Sequence, residues 1–506
     1  MNNKLSPRFP SHYWGYLALA LWIFITLFLL RHDPYGLNGG SAKSILLTWS
    51  MADQVASSAV TFGTPDLRTI LFLPAGILFA GKVFAPKILT VLIFALTSWL
   101  LYFWKRRTAD SEAALIATGL LIISPLVLAQ LDSLSPGIYL LSAFVLGAWV
   151  DKTYRANPRS FGGWYFAQLF ICAFSVSLHP VGLAYPIALL WFWRTEPLDT
   201  KQQKYFLVGI SASVLLTLII CMGWSDLSWF QNPLRGLGET LFPNAVAKSN
   251  PTYLTIAGLF VLATLIVVIA KQFRHLLADF IGRTLLIALA LGAFIGDQNW
   301  GLLALCTILY FGLPVLLRSK QATGFLRQRG LALLFVFFFS TIFMLADRAH
   351  YEARIHGLLS AQDQLIKTFA DEAEAARTAD EHNTNDATTI ERIRVASEWP
   401  GRTMIACKCD TLPLPPAAKD PETQLRMMHG ITHLLLDPKQ TNNLALARNL
   451  SLLGNIIETT SLQSGGVLLH IRPEAANSAP DKTGMPANHP AIQGGASRRD
   501  KHTEQR

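Results

Sequence analysis

Charge is scarce in this chain of 506 residues: Asp, Glu, Lys and Arg together make up 15% of it, where soluble domains carry about a quarter. So little charge cannot clothe a water-facing surface of this length, which excludes an ordinary soluble enzyme. Cysteine is scarce as well, with five in all, which excludes a disulfide-dense secreted scaffold. Cys172, Cys221 and Cys306 lie inside apolar runs and read as small hydrophobes. Cys407 and Cys409, in CKC, are too close for an ordinary structural disulfide and too few for a zinc site, which leaves free thiols or a strained local bridge between them. The first apolar run, WGYLALALWIFITLFLL, has no small-residue cleavage site before the following RHDP, so it reads as a retained helix. Matching halves are also lacking, which argues against a repeat-built transporter.

What is present is apolar: 51% hydrophobic residues and a mean hydropathy of +0.35. The charges gather between long apolar runs and after residue 347, the pattern of a polytopic helical membrane protein with a polar tail. Runs near the crossing length occur at 14–30, 86–104, 113–130, 136–150, 205–223, 253–270, 281–296, 301–317 and 330–346. A further segment, 164–193, is too long for one pass, is broken at His179-Pro180 and has basic flanks at both ends. It reads as a hairpin of two short helices and brings the expected total to about eleven spans.

The basic residues orient this arrangement. With the N-terminus inside, cytoplasmic segments hold seventeen Lys and Arg, among them Lys105, Arg106 and Arg107, against seven in the outer connections, Lys87 among them. That bias places the N-terminus in the cytoplasm and the C-terminal tail outside. The net charge of +10 is then a property of membrane loops, and no nucleic-acid partner is implied.

The first outer connection, 31–85, contains SAKSILLTWSMADQVASSAV, in which Ile45, Leu46, Trp49, Ala52 and Val55 recur at helical spacing. It also contains TILFLPAGILFAG, apolar but short; both read as helices lying in the membrane interface over 41–81. Trp224, Trp229 and Trp300 stand where interface aromatics stand. In the tail, RTMIAC, ITHLLLD and GVLLHIR read as strands, with helical stretches around 421–429 and 441–453. Residues 347–473 are therefore expected to include a small extracytoplasmic α/β domain, and 474–506, rich in Pro, Gly, Asn and Ser, a disordered tail.

This layout resembles the GT-C superfamily of membrane glycosyltransferases. The features that carry the resemblance are an aspartate just beyond the first span in RHDPYGLNGG, a long outer connection, apolar hairpins and an outer closing domain. The stretch LIATGLLIISPLVLAQLDSLSPGIYLLSAFVLGAW is similar in texture to that family's third and fourth spans. Within the superfamily the likeness is greatest to bacterial transferases that use polyprenyl-phosphate sugars, such as the aminoarabinose and protein mannosyl transferases. The resemblance covers roughly residues 14–473. It implies a helical GT-C-like fold over 1–346 and an inverting transfer of a sugar from a polyprenyl-phosphate donor to a lipid, glycan or protein acceptor.

The same resemblance matches Asp33 to the acidic residue that acts on the acceptor. A carboxylate at the membrane surface can take or orient an acceptor proton, and cations must meet the charge developing on a phosphate leaving group. Arg31, His179, Arg235 and Lys248 are the outward basic groups, with Asp132 a candidate second carboxylate and a turn residue otherwise. Each also has a plainer reading: Asp33 as an N-cap before Pro34, Arg31 as a snorkelling span end, His179 as a turn residue, and Arg235 and Lys248 as solvated charges. Asp66 and Arg68 read as solvated loop residues. Pro34 follows Asp33 where relatives carry a second acid, no Lys-Pro-Pro segment is present and GDQNWG lacks a basic residue. These departures leave no cofactor firmly implied and a divalent metal without its usual ligands. The alternatives in other classes are a non-catalytic assembly protein and a flippase for a lipid-linked glycan.

Overall fold

The computed structural model describes residues 19–27, 37–51, 67–108, 111–156, 162–195, 200–220, 251–295, 300–314, 338–342, 394–436 and 446–471. Short interruptions fall at 21, 38, 80–81, 340, 398–399, 416, 419, 429, 447, 451–456 and 462–466. Two short helices, α1 (Gly39–Met51) and α2 (Arg68–Leu78), pack on each other ahead of the long α3 (Phe84–Thr108). Next come α4 (Ser111–Ile122), α5 (Pro125–Asp132), α6 (Pro136–Ala156), α7 (Gly163–Leu178) and α8 (Ala184–Thr195). Then follow α9 (Thr200–Ile220), α10 (Pro251–Ala278), α11 (Phe280–Ile295) and α12 (Trp300–Thr307), the last running into a wider π turn at Ile308–Gly312.

Among the described residues two helices are long and apolar enough to cross a membrane, at Phe84–Arg107 and Thr255–Ala278; the bent pair α4 and α5 makes a third if it is one span. The expected runs at 14–30 and 330–346 lie mainly outside the described residues. The run 113–130 is not one straight helix: its halves meet at 48°. The cause is local, because Pro125 occupies the first turn of α5 and Ser124 before it is extended, with ψ of 130°. The expected hairpin over 164–193 is present as α7 and α8, separated by a 3₁₀ turn at Pro180–Leu183.

One continuous hydrophobic core runs through the helices, with Phe94, Phe144, Tyr139, Tyr185 and Tyr310 among its fully buried rings. Ile45, Leu46 and Trp49 face into it from α1, and Phe72 from α2. The helical spacing read in the sequence is thus real, and protein covers that face. Ala52 and Val55 lie outside the described residues. Trp300 is buried against Gly292 and is not an exposed belt residue. Trp224 and Trp229 lie outside the described residues.

The C-terminal segment folds as a mixed five-stranded sheet of order β2-β1-β3-β5-β4. Its strands are β1 (Arg394–Ser397), β2 (Asp410–Pro413), β3 (His433–Leu436), β4 (Ile457–Ser461) and β5 (Val467–Ile471). The β1–β2 and β1–β3 pairs are parallel, while β3–β5 and β4–β5 are antiparallel. Helices α13 (Pro400–Cys407) and α14 (Pro421–Met427) lie between the parallel strands in the chain, since parallel neighbours cannot be joined by a tight hairpin. RTMIAC is therefore the body of α13 and not a strand. Pro400 in its first turn starts a helix, and Met404 points into the helical core while Cys407 packs beside β2. ITHLLLD and GVLLHIR do contain strands, β3 and β5.

Of the two readings of the CKC cysteines, the structure has the local bridge. Cys407 and Cys409 are joined in a disulfide, because α13 ends at Cys407 and Lys408 turns the chain with a φ of 51°. That turn brings two side chains together that a straight CKC would hold further apart.

Candidate functional site

The polar residues that the helical core encloses are concentrated where α1, α2, α3, α5 and α6 meet. Lys87 lies in the first turn of α3, one residue after Pro86, and its side chain has no exposure. Its Nζ stands 2.6 Å from Oδ1 of Asp132, the last residue of α5, whose side chain is 5% exposed. Two charges this far from water are tolerated only as a pair, since either alone would carry a large desolvation penalty.

The turn that follows Asp132 is held from a second side. Leu134 has a φ of 53°, a backbone region that residues with a Cβ enter at a cost, and its carbonyl accepts two buried hydrogen bonds. One comes from Arg68 Nη1 at 2.9 Å and the other from Ser41 Oγ at 3.0 Å. Arg68 Nη1 also reaches Ser41 Oγ at 3.3 Å, tying α2 to α1. Two cations therefore grip one short turn, Lys87 through Asp132 and Arg68 through Leu134. One helical turn beyond Lys87, the Thr90 hydroxyl is hydrogen-bonded to the Tyr139 hydroxyl of α6, whose ring meets Phe72 edge-on at 6.0 Å. Gln130, two residues before Asp132, has a buried Oε1 with no hydrogen-bond partner among the described residues.

Both cations are thus engaged by protein oxygens, Lys87 by a carboxylate and Arg68 by a carbonyl and a hydroxyl, and both are of the kind that pairs with phosphate.

Of the residues singled out in the sequence, Asp132 belongs to this cluster. His179 sits elsewhere, at the break between α7 and α8. There its Nδ1 accepts the Val181 N–H at 3.2 Å and caps the 3₁₀ turn, which matches its plainer reading. Asp33, Arg31, Arg235, Lys248 and Asp66 lie outside the described residues. Arg68 is not a solvated loop residue: it begins α2 and is buried, because the Leu134 carbonyl and Ser41 replace its water. Lys87, counted in the sequence only as one more outer charge, is the residue that local reasoning missed. No local signal marks it, because a Lys in the first turn of an apolar helix ordinarily snorkels to the interface. Among the described residues no three His, Cys, Asp or Glu side chains converge to hold a metal.

Away from the helices, His433 of β3 and His470 of β5 stack with ring centroids 4.7 Å apart. Burial first, and the neighbouring imidazole second, push His433 down to about 4, so it is a neutral ring at pH 7.

No protein-family model matches the sequence, and no curated protein matches it by sequence. Solved structures do match by fold. ArnT from Cupriavidus metallidurans, in its apo state, aligns over 91% of this chain and 98% of its own, with 12% identity and a TM-score of 0.50. The apo oligosaccharyltransferase of Archaeoglobus fulgidus aligns over 88% of this chain and 73% of its own, with 12% identity and a TM-score of 0.51. At that identity the likeness is one of architecture alone: the chain shares the fold of these two structures.

Proposed function

We propose that the protein is a membrane glycosyltransferase that moves a sugar from a polyprenyl-phosphate donor to an acceptor at the periplasmic face of an inner membrane. The observation that carries this reading is the Lys87–Asp132 pair, buried at the helix ends beside Arg68 within a GT-C-like fold. An inverting transfer needs a base for the acceptor and cations for the phosphate that departs. Asp33, just beyond the first apolar run, is the base in this reading. Lys87 and Arg68 join Arg31, Arg235 and Lys248 as the groups available to the donor phosphate, with Asp132 holding Lys87 in place until the donor arrives. His179 is better explained as a cap.

The orientation rests on the distribution of Lys and Arg, which puts the residue-33 end of the first span and the C-terminal sheet on the outer side. The fold likeness to an oligosaccharyltransferase supports a glycosyl-transfer chemistry and leaves the acceptor open.

The test is transfer from a radiolabelled polyprenyl-phosphate sugar by purified protein in liposomes, alongside mass spectrometry of surface glycans and lipid A from a deletion strain. Loss of one glycan modification in the strain, restored by the wild-type gene and not by an Asp33→Asn copy, supports the reading. An unchanged glycan profile and no transfer from any such donor would overturn it and favour a non-catalytic assembly role.

A further inference from the structure

The far end of α3 carries charge that the cluster around Lys87 does not use. Lys87 lies in the first turn of α3 and Arg107 in its last, so a helix of 25 residues, rising about 1.5 Å per residue, holds them about 30 Å apart. Arg106 and Arg107 are exposed at this end, and so is Lys152 of α6, which packs along α3. Among the described residues no carboxylate pairs with any of the three. Asp151, next to Lys152 in the chain, is buried, and its carboxylate is held 2.7 Å from Arg155 Nε.

Packing between the two helices fixes where these cations stand. The guanidinium carbon of Arg107 lies 5.5 Å from the ring centroid of Trp149 on α6. Trp149 and Lys152 are three residues apart on α6 and so are neighbours on its surface, which sets Lys152 beside the stacked guanidinium. From Arg107 toward the middle of α3, the same face continues through Phe103, Trp99, Leu96 and Leu92, at steps of four, four, three and four residues. Leu92 and Leu96 are exposed, Trp99 and Phe103 are partly exposed, and the two rings meet edge-on at 4.8 Å. Along this stripe the order is aliphatic, aromatic, cationic. A phospholipid presents the matching order of acyl chain, glycerol backbone and phosphate.

From this arrangement we infer that Arg107, Trp149 and Lys152 form a binding site for one anionic phospholipid, its phosphodiester on the two cations and an acyl chain along the exposed stripe of α3. The Arg107 fork matches phosphate oxygens, Lys152 adds a point charge, and Trp149 supplies the amphipathic ring favoured at a bilayer interface. A soluble phosphate would meet the cations and leave the apolar stripe uncovered. A zwitterionic lipid would bring a third cation to two that already lack a carboxylate. This inference is independent of the proposed transferase activity, whose donor phosphate is placed at the opposite end of α3.

The experiment is native mass spectrometry of the delipidated full-length protein in detergent, with dioleoyl phosphatidylglycerol or dioleoyl phosphatidylcholine added at equal concentration. One saturable phosphatidylglycerol adduct is expected. Its affinity should fall about 25-fold in the double variant Arg107→Gln with Lys152→Gln, about fivefold for each basic residue lost. The matched control, Lys271→Gln with Arg274→Gln, removes two exposed cations from α10 and should bind as wild type does. Equal losses in the two double variants would reduce the effect to overall charge and overturn the site. Equal adducts with phosphatidylcholine would also overturn it, a comparison made on the wild type and so valid whether or not the variants fold. Binding of the deacylated headgroup, glycerophosphoglycerol, as tightly as the intact lipid would assign a soluble phosphodiester and refute the lipid.

Discussion

Lys87 Nζ and Asp132 Oδ1 lie 2.6 Å apart at the junction of α3 and α5, and neither side chain has appreciable contact with solvent. The pair joins the start of one long apolar helix to the end of a bent one, and protein surrounds both charges. Its removal is expected to separate structural from chemical roles. Lys87→Met or Asp132→Asn leaves a buried charge without its partner and should lower stability by about 3–5 kcal/mol. The double variant Lys87→Leu with Asp132→Leu should recover most of that loss and remain inactive in transfer. Thermal unfolding in detergent and the liposome assay check the two halves separately; a double variant with wild-type transfer would exclude the pair from the site.

For Asp33 the expected pattern is the opposite. Asp33→Asn should reduce transfer by about 10²–10⁴-fold, the range of a positioned general base, with no change in apparent Tm. Equal turnover by the variant would remove Asp33 from the role of base.

The break between α7 and α8 depends on Gly182. A Cβ built there would collide with the Ser175 carbonyl oxygen and carbon, main-chain atoms that cannot rotate away. Gly182→Ala should therefore destabilise the protein by about 1–3 kcal/mol or more. Gly163→Ala, where nothing lies within 4 Å, is the matched control and should be neutral or stabilise by up to about 1 kcal/mol. The difference in Tm between the two alanine variants is the measurement.

Met404 links the two parts of the chain. It belongs to α13, beside the C-terminal sheet, yet it is fully buried in the core of the helices, and α13 packs against α1. Met404→Ala should cost about 2–5 kcal/mol and make the segment 394–471 more sensitive to limited proteolysis. An unchanged Tm with unchanged cleavage would show that this contact does not hold α13 in place.

Much of the helical layout was legible because its cause is local. Apolar runs of membrane length and the His179-Pro180 break act on the chain within a few residues, so they mark helix bodies and ends directly, whereas the bend at Pro125 was concealed inside the run 113–130, read as one span. RTMIAC misled for the same reason. Six residues with several apolar side chains fit a strand or a short buried helix, and only the position of Pro400 and the docking of α13 on α1 decide between them. The CKC disulfide needed the turn at Lys408, which composition does not announce.

By itself the sequence determined a membrane-embedded helical chain, its charge asymmetry and the position of Asp33 beyond the first apolar run, since hydropathy and charge bias act along the chain. Tertiary structure alone decided that Lys87 and Arg68, which look like ordinary outer charges in the sequence, are buried on either side of one turn. It also decided that His433 and His470, far apart in the chain, share a rung. These are contacts between distant residues, set by packing and strand register, and no local pattern encodes them.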